Sequence, residues 1–237
     1  MPKKILLQNP RIIKAFNRVR NFYLIGPYTT TNHCVMPIYV DIRAVYSDPK
    51  SMKVITRELV KFIKKSKIKF NFILGGATAG IPIATTVGYA LGVPTGYVRK
   101  APKGGGTNRT VEGSFKKGAK ALLIDDALGQ GAGKLDFLNN IRRSGFKIDT
   151  LMVVSSRGYQ NPEYFKWFAP AKVNFISFCD LTGLIKNAVK DKIITPEAGQ
   201  LLSYYNQDAA GWNQDKKKWQ EFLNYKKQKR HESVSGV

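Results

Sequence analysis

The chain is poor in cysteine and in histidine, with two residues of each among 237. Cys34 and Cys179 are far apart, so they form no CxxC-type metal-ligand spacing, and two cysteines do not make a disulfide scaffold. Two histidines add little material for a zinc site. We therefore expect ordinary buried thiols and a reducing, cytoplasmic environment.

Long apolar runs are also missing. No stretch reaches the roughly 18 consecutive apolar residues that cross a bilayer. The first 20 residues carry positive charge, but they have no uninterrupted apolar core and no small-residue cleavage site. We predict neither a membrane span nor a signal peptide. With 43% hydrophobic and 11% aromatic residues, the chain has enough apolar material for a globular core.

Acidic residues are scarce, with 16 Asp and Glu against 39 Lys and Arg, and the formal net charge is +23. Such a charge favours anionic partners: phosphorylated metabolites, nucleic acid or an anionic membrane surface. The basic residues are spread along the chain and show no Arg/Gly repeat and no zinc-finger spacing. Charge alone therefore does not choose among these partners, and nucleic acid is possible but not favoured.

Short apolar runs alternate with amphipathic segments through most of the chain. We predict strands at 36–46, 70–75, 94–99, 120–124, 150–155 and 175–179, and helices at 3–20, 51–65, 81–91 and 134–144. Continuous apolar strands that alternate with helices are typical of an α/β protein whose parallel sheet is covered on both faces. Beyond 180 the pattern is helical, and a basic tail carries Trp219, Phe222 and Leu223 at helical spacing, which favours a helix packed on the core.

Ligands of an open α/β sheet bind beyond the carboxyl ends of its strands, where this chain has candidate loops at 75–80, 99–110 and 125–133. In ALLIDDALGQGAG (121–133), an apolar strand ends in Asp125 and Asp126, and a glycine-rich loop leads into a helix. Backbone N–H groups of such a loop can bind phosphate. Carboxylates at its edge can accept hydrogen bonds from sugar hydroxyls or help hold a hydrated divalent cation. The sequence therefore predicts a sugar phosphate ligand. It matches neither GxxxxGK[ST] nor a dinucleotide fingerprint, because the acids precede the glycines.

The same stretch resembles the phosphoribosyl pyrophosphate (PRPP) motif of type I phosphoribosyltransferases. The segments FILGGATAGIPIATTVGYALGVPTGYVRKAPKGGGTNRT, MPIYVDIRAVYSDP and VVSSRG narrow the resemblance to the orotate phosphoribosyltransferase family, over roughly 22–160. It implies a mostly parallel central sheet flanked by helices, with a small hood subdomain and a helical C-terminal extension. The implied segments are an N-terminal helix and hood at 1–45, the core at 46–180 and the basic extension at 181–237.

The resemblance also implies a function. The chain would make orotidine 5′-phosphate and pyrophosphate from orotate and PRPP, in UMP synthesis. Mg²⁺ would be the cofactor, held through PRPP and possibly by Asp126. The protein would be a homodimer with shared active sites, in which the mobile loop carrying Lys103 closes over the neighbouring subunit.

Site residues carry over position by position. Catalytic roles fall to Lys103, Asp125 and Asp126, of which the two acids bind the ribose hydroxyls. PRPP contacts fall to Ala77, Thr78, Ala79 and Gly80, often with an unusual peptide conformation, to Arg99, Lys100 and Lys103, and to Asp125, Asp126, Ala127, Leu128, Gly129, Gln130, Gly131, Ala132 and Gly133. Orotate contacts fall to Tyr39, Gly129 and Arg157, with Arg157 on the orotate carboxylate.

The chain departs from the family pattern at several of these positions. Gly105 stands where the mobile loop usually has His, and Gly129 and Ala132 stand where the phosphate loop usually has hydroxyl residues. Segment 32–37 replaces Ser-Gly-x-x-Ser-Pro. Two alternatives stay open: a type I phosphoribosyltransferase for another base, and a PRPP-sensing or RNA-binding relative without catalysis. The retained Arg99, Lys100 and Lys103 argue against the second.

Overall fold

The structure, a computed structural model, describes residues 3–30, 33–102, 104, 108–129, 131–157 and 171–234, without the side chains of 132 and 229–234. Its centre is a seven-stranded sheet in the order β1-β9-β8-β7-β4-β5-β6. Its strands are β1 (Lys4–Leu6), β4 (Phe72–Gly76), β5 (Thr95–Val98), β6 (Val111–Glu112), β7 (Lys120–Leu128), β8 (Lys147–Ser156) and β9 (Asn174–Asp180). All neighbouring pairs are parallel except β5 and β6. The predicted α/β class with a mostly parallel sheet is confirmed.

Helices cover both faces of this sheet. They are α1 (Pro10–Asn17), α2 (Pro49–Lys65), α3 (Gly80–Leu91), α4 (Ala132–Arg143), α5 (Leu181–Lys190), α6 (Pro196–Gln207) and α7 (Lys216–Val234). Alternate side chains of β7 enter different apolar clusters: Leu122 and Ile124 pack with residues of α1, α2 and α3, whereas Leu123 packs with residues of α4. This alternation is the two-residue period expected of a strand buried on both faces.

A second, two-stranded antiparallel sheet pairs β2 (Tyr23–Thr29) with β3 (Val35–Val40). It packs on the C-terminal helices through a third apolar cluster, in which Ile38, Trp212 and Phe222 are buried. The indole of Trp212 donates a 2.6 Å hydrogen bond to the Val35 carbonyl. The C-terminal helix thus packs through Phe222 as predicted, whereas Leu223 is exposed.

Two predicted elements differ from the structure. Residues 3–20 form β1 and then α1 rather than one helix, because Asn9 caps a helix that begins at Pro10. The strand predicted at 36–46 ends at Val40, and a 3₁₀ helix (Ile42–Ser47) follows it. Asp41 caps this helix, because its side chain accepts a hydrogen bond from the backbone N–H of Arg43. Strands β2 and β6 were not predicted. The division at 45 and 180 stays a prediction.

Candidate active site

The turn that follows β4 meets the last residues of β7 at the carboxyl edge of the sheet. A Cβ atom at Gly80 would lie 2.7 Å from Oδ1 of Asp125, and one at Gly76 would overlap the same carboxylate. Only glycine at these positions lets the turn at 77–79 lie against Asp125. The peptide bond between Ala77 and Thr78 is cis, and the Tyr46 hydroxyl donates a hydrogen bond to the Ala79 carbonyl.

The two adjacent carboxylates have different surroundings. Asp125 is buried, and its Oδ2 pairs with the ammonium group of Lys134 on α4 while its Oδ1 accepts a 2.9 Å hydrogen bond from the Asp126 N–H. Burial raises the pKa of Asp125 to about 6, although Lys134 opposes this shift. Asp126 is only half-buried. Asp126 is thus the carboxylate that can meet a ligand directly, whereas the oxygens of Asp125 are already engaged within the chain.

The N-termini of α3 and α4 differ from those of the other described helices. Side chains of Asn9, Asp48, Asp180, Thr195 and Asp215 accept hydrogen bonds from first-turn N–H groups of α1, α2, α5, α6 and α7. The cap residues of α3 and α4, Ala79 and Gly131, make no such side-chain hydrogen bond. Uncapped N–H groups and the positive end of the helix dipole make each of these N-termini suitable for an anion. Both lie in loops that the sequence assigned to phosphate binding.

Lys100 reaches the second of these loops from β5. A Cβ atom at Gly133 would lie 2.8 Å from Nζ of Lys100, so the lysine side chain runs directly over this glycine. Buried Asn140 on α4 donates hydrogen bonds of 2.8 and 3.0 Å to the carbonyls of Arg99 and Lys100 and so holds this segment against α4. The Arg99 guanidinium lies 3.7 Å from a Glu112 oxygen.

A cavity of about 270 Å³ opens beside Asp126, between the small sheet and the ends of β7 and β8. Its polar lining includes Tyr39, Arg43, Asp126, Ser156 and Arg157, and its apolar lining includes Val40, Leu128, Leu181 and Leu184. Ala127 and Gly129 also line it. The three residues predicted for orotate, which are distant in sequence, therefore border one cavity.

Two arginines supply positive charge to this cavity. The Arg157 guanidinium lies 3.9 Å from the centre of the Tyr205 ring. The backbone N–H of Arg157 donates a 2.8 Å hydrogen bond to the Leu128 carbonyl. Arg43 donates a 2.7 Å hydrogen bond to the Tyr39 hydroxyl. Ser156 is buried, and its hydroxyl has no hydrogen-bond partner in the described part of the chain. A buried hydroxyl of this kind is suited to a ligand in the cavity.

The structure brings together residues 77–80, Lys100, Asp125, Asp126, the loop up to Gly133, Tyr39 and Arg157. Lys103 and Gln130 lie outside the described residues, as do Gly105 and the side chain of Ala132. Sequence reasoning missed Arg43, Lys134, Asn140, Ser156 and Tyr205. An isolated Lys or Asn in a helix gives no signal of its own, but Arg43 lies in the quoted MPIYVDIRAVYSDP segment and Ser156 precedes Arg157 in VVSSRG, so motif position was available for these two.

Comparison with known proteins gives a consistent result. No family model matches the chain. The orotate phosphoribosyltransferase of Streptococcus pneumoniae serotype 4 is 31% identical over 188 residues, which are 79% of this chain and 89% of that protein. The chain belongs to the orotate phosphoribosyltransferase family.

Solved structures agree with this membership in the orotate phosphoribosyltransferase family. The orotate phosphoribosyltransferase of Aeropyrum pernix is 26% identical, with a TM-score of 0.65, over 74% of this chain and 97% of that one. A UMP synthase of Leishmania donovani has a TM-score of 0.73 and is 23% identical. The match covers 84% of this chain and 43% of the UMP synthase. At 23% identity, the similarity to the UMP synthase shows the fold alone. The predicted type I phosphoribosyltransferase fold is thus confirmed.

Proposed function

We propose that this protein is an orotate phosphoribosyltransferase that makes orotidine 5′-phosphate and pyrophosphate from orotate and PRPP, in the synthesis of UMP. The observation that carries the proposal is the pair of uncapped helix N-termini next to the two acids: α3 begins at Gly80, against the Asp125 carboxylate, and α4 begins six residues after Asp126. PRPP has a phosphate at one end and a pyrophosphate at the other, with ribose hydroxyls between them. Two anion sites next to carboxylates match this set of groups.

PRPP would bind across the carboxyl edge of the sheet. The 5′-phosphate would take the N–H groups of 129–133, the pyrophosphate would take those of 77–80, and Asp126 would accept hydrogen bonds from the ribose hydroxyls. Asp125, buried beneath Asp126 and paired with Lys134, would hold that carboxylate and the start of α4 in place. Lys100, over Gly133, adds positive charge at the glycine loop.

The chemistry is a displacement at C1 of the ribose. Negative charge develops on the departing pyrophosphate, and lysine and arginine groups from the 99–103 segment would neutralise it. When bound, Mg²⁺ would add positive charge to the same pyrophosphate oxygens. Half-buried Asp126 is the carboxylate that would help hold it, which fits a cation that keeps most of its ligands as water and substrate phosphates. The remaining contribution of the chain is to position the attacking nitrogen against C1.

Orotate is an anionic base, and the cavity suits an anion. Two guanidinium groups, of Arg43 and Arg157, line it beside one carboxylate, Asp126. The Arg157 guanidinium would pair with the orotate carboxylate, Tyr39 would contact the ring, and the Ser156 hydroxyl would bond a ring carbonyl. The Arg43 guanidinium also pairs with Asp41 at 3.3 Å, so the preference for orotate over uracil would rest on Arg157, whose fork of N–H donors matches the orotate carboxylate and has no such group to bind on uracil.

The described residues include no helix that is both long and apolar enough to cross a membrane. Cys34 and Cys179 are both buried and are not joined in a disulfide. Reduced cysteines suit a reducing compartment, so we place the enzyme in the cytoplasm. A homodimer with shared active sites is the assembly that the family resemblance implies, with Lys103 supplied to the neighbouring site.

The test is an assay on purified protein with PRPP, Mg²⁺ and orotate, followed by the loss of orotate absorbance. Wild type should consume orotate, and Lys103→Ala should lose most of the rate. Lys116→Ala, which removes an exposed lysine outside the site, is the matched control and should behave like wild type. Orotate turnover that Lys103→Ala leaves intact would refute the catalytic assignment of that lysine.

A further inference from the structure

The opposite edge of the sheet contains a second, larger cavity that the proposed reaction does not use. It has a volume of about 640 Å³ and lies among the amino ends of β7, β8 and β9 and the chain that follows α2. Along β8, Thr150 at this cavity and Ser156 at the orotate cavity are six residues apart, or about 20 Å. The two cavities are therefore separate sites.

The rim of this cavity is strongly basic. Five lysines line it, Lys3, Lys65, Lys67, Lys69 and Lys120, and all five are exposed. None of them forms an ion pair within the part of the chain that the structure describes. The one carboxylate of the lining, Asp149, already accepts a 2.8 Å hydrogen bond from the Thr150 hydroxyl. Five ammonium groups against one carboxylate leave a formal charge of +4 around one cavity.

The floor of the cavity is apolar. Ile5, Phe62, Ile68 and Ile176 line it, and Phe62 is held by an edge contact with Phe178 at 5.5 Å between ring centres. Exposed Lys67 and Lys69 alternate along the chain with half-buried Ser66 and Ile68, so one short segment contributes to both the rim and the floor. Unpaired like charges repel one another, so a rim of this kind is stabilised by a bound anion.

We propose that this cavity binds a nucleoside triphosphate, with the phosphates on the lysines and the base over the apolar floor. The volume is within the range of small-molecule sites, roughly 300–1,000 Å³. Several clustered ammonium groups favour a ligand with several adjacent negative charges over a single phosphate. The apolar floor favours a ligand with an aromatic ring over inorganic polyphosphate. This inference does not depend on the proposed reaction, because it uses none of its residues.

The test is calorimetric titration of the full chain with uridine 5′-triphosphate, without Mg²⁺. The variant K67A/K69A/K120A should bind roughly tenfold more weakly or worse. The control K14A/K53A/K217A removes the same three charges from exposed positions on α1, α2 and α7 and should stay within about twofold of wild type. Thermal melting of both variants checks that they are folded.

Two further titrations identify the site and the ligand. Lys100→Ala weakens any binding of the triphosphate at the proposed PRPP site. It should leave the affinity of the lysine-rimmed cavity for the triphosphate unchanged. Inorganic tripolyphosphate should compete, but more weakly than the nucleotide. The proposal is overturned if both triple variants bind the triphosphate equally well. It is also overturned if a short single-stranded oligonucleotide binds in a manner sensitive to K67A/K69A/K120A while the triphosphate does not bind.

Discussion

Lys134, in the first turn of α4, forms an ion pair with Asp125, the buried carboxylate near the end of β7. The ion pair connects β7 to α4, the helix that follows the glycine loop. Its partners are 15% and 3% exposed, so solvent screens the pair little. The start of α4, and with it the proposed 5′-phosphate site, is therefore held to the sheet by one charged contact.

Replacing Lys134 by Met should destabilise the fold, because it leaves the Asp125 charge buried without a partner. The expected loss of unfolding free energy is about 3 kcal/mol, measured by urea denaturation at neutral pH. The double variant Lys134→Met/Asp125→Asn removes both charges and should recover much of this loss. A single variant as stable as wild type would show that the pair does not hold α4.

Stability should depend on pH through Asp125. Its pKa is raised in the fold to about 6, so between the unfolded value, 3.8, and about 6 the folded state binds more protons than the unfolded state. The favourable contribution of the protonated carboxyl is therefore complete below pH 3.8 and is lost as the pH rises through 6. Relative to Asp125→Asn, the wild type should lose up to about 3 kcal/mol of unfolding free energy between pH 4 and pH 7. Urea titrations across this range measure the difference, and a constant difference would contradict the shift.

Gly129→Thr should improve catalysis. A Cβ atom at Gly129 meets no atom of the described residues within 4 Å, so among them the side chain has room in the loop where family members carry a hydroxyl. A restored hydrogen bond to a charged phosphate contributes about 1.5–3 kcal/mol, which is roughly a tenfold or larger gain in kcat/KM for PRPP. Gly129→Val has the same shape without the hydroxyl and should give no gain. An equal response to Thr and Val would refute the hydrogen-bond explanation.

Arg157→Lys should weaken orotate binding and leave PRPP binding nearly unchanged. Lysine cannot reproduce the planar fork that grips a carboxylate or the stacking on Tyr205. We expect the KM for orotate to rise roughly tenfold or more. Tyr205→Leu, which removes the ring and keeps the guanidinium, should raise it less. Steady-state kinetics with each substrate varied in turn measure the two KM values. A change confined to the KM for PRPP would contradict the assignment of Arg157 to the orotate carboxylate.

Asn140→Leu should impair the handling of PRPP without affecting orotate. The amide donates to the carbonyls of Arg99 and Lys100, so its loss frees the segment whose cations we propose to contact PRPP. The KM for PRPP should rise several-fold while the KM for orotate stays constant. Asn139→Leu, at the exposed neighbouring position on the same helix, is the control. A stability loss with unchanged kinetics would indicate that Asn140 serves packing alone.

The core of the fold was predictable because its strands are continuous apolar runs bounded by glycine or acidic residues. The run 120–124 and the glycines after β4 define both strands and place their loops at the same edge of the sheet. Segments 3–20 and 36–46 were not predicted correctly, since capping by Asn9 and by Asp41 interrupts patterns that would otherwise continue.

Within the candidate site, the loops were predictable and the contacts between distant residues were not. Tyr39, Gly129 and Arg157 were grouped through motif resemblance, and the structure adds the cavity that they share. The pairings of Lys134 with Asp125 and of Asn140 with the 99–100 carbonyls depend on how α4 crosses the sheet. Local sequence pattern contains no information on such crossings.

The most direct measurement compares initial rates with orotate, uracil and adenine, each at the same concentration with PRPP and Mg²⁺, by pyrophosphate release. A base cavity lined by Arg43 and Arg157 beside two phosphate loops predicts rapid release with orotate and little with uracil or adenine. Preferential turnover of uracil or adenine, or PRPP binding without turnover of any base, would contradict the assignment of this chain as an orotate phosphoribosyltransferase enzyme.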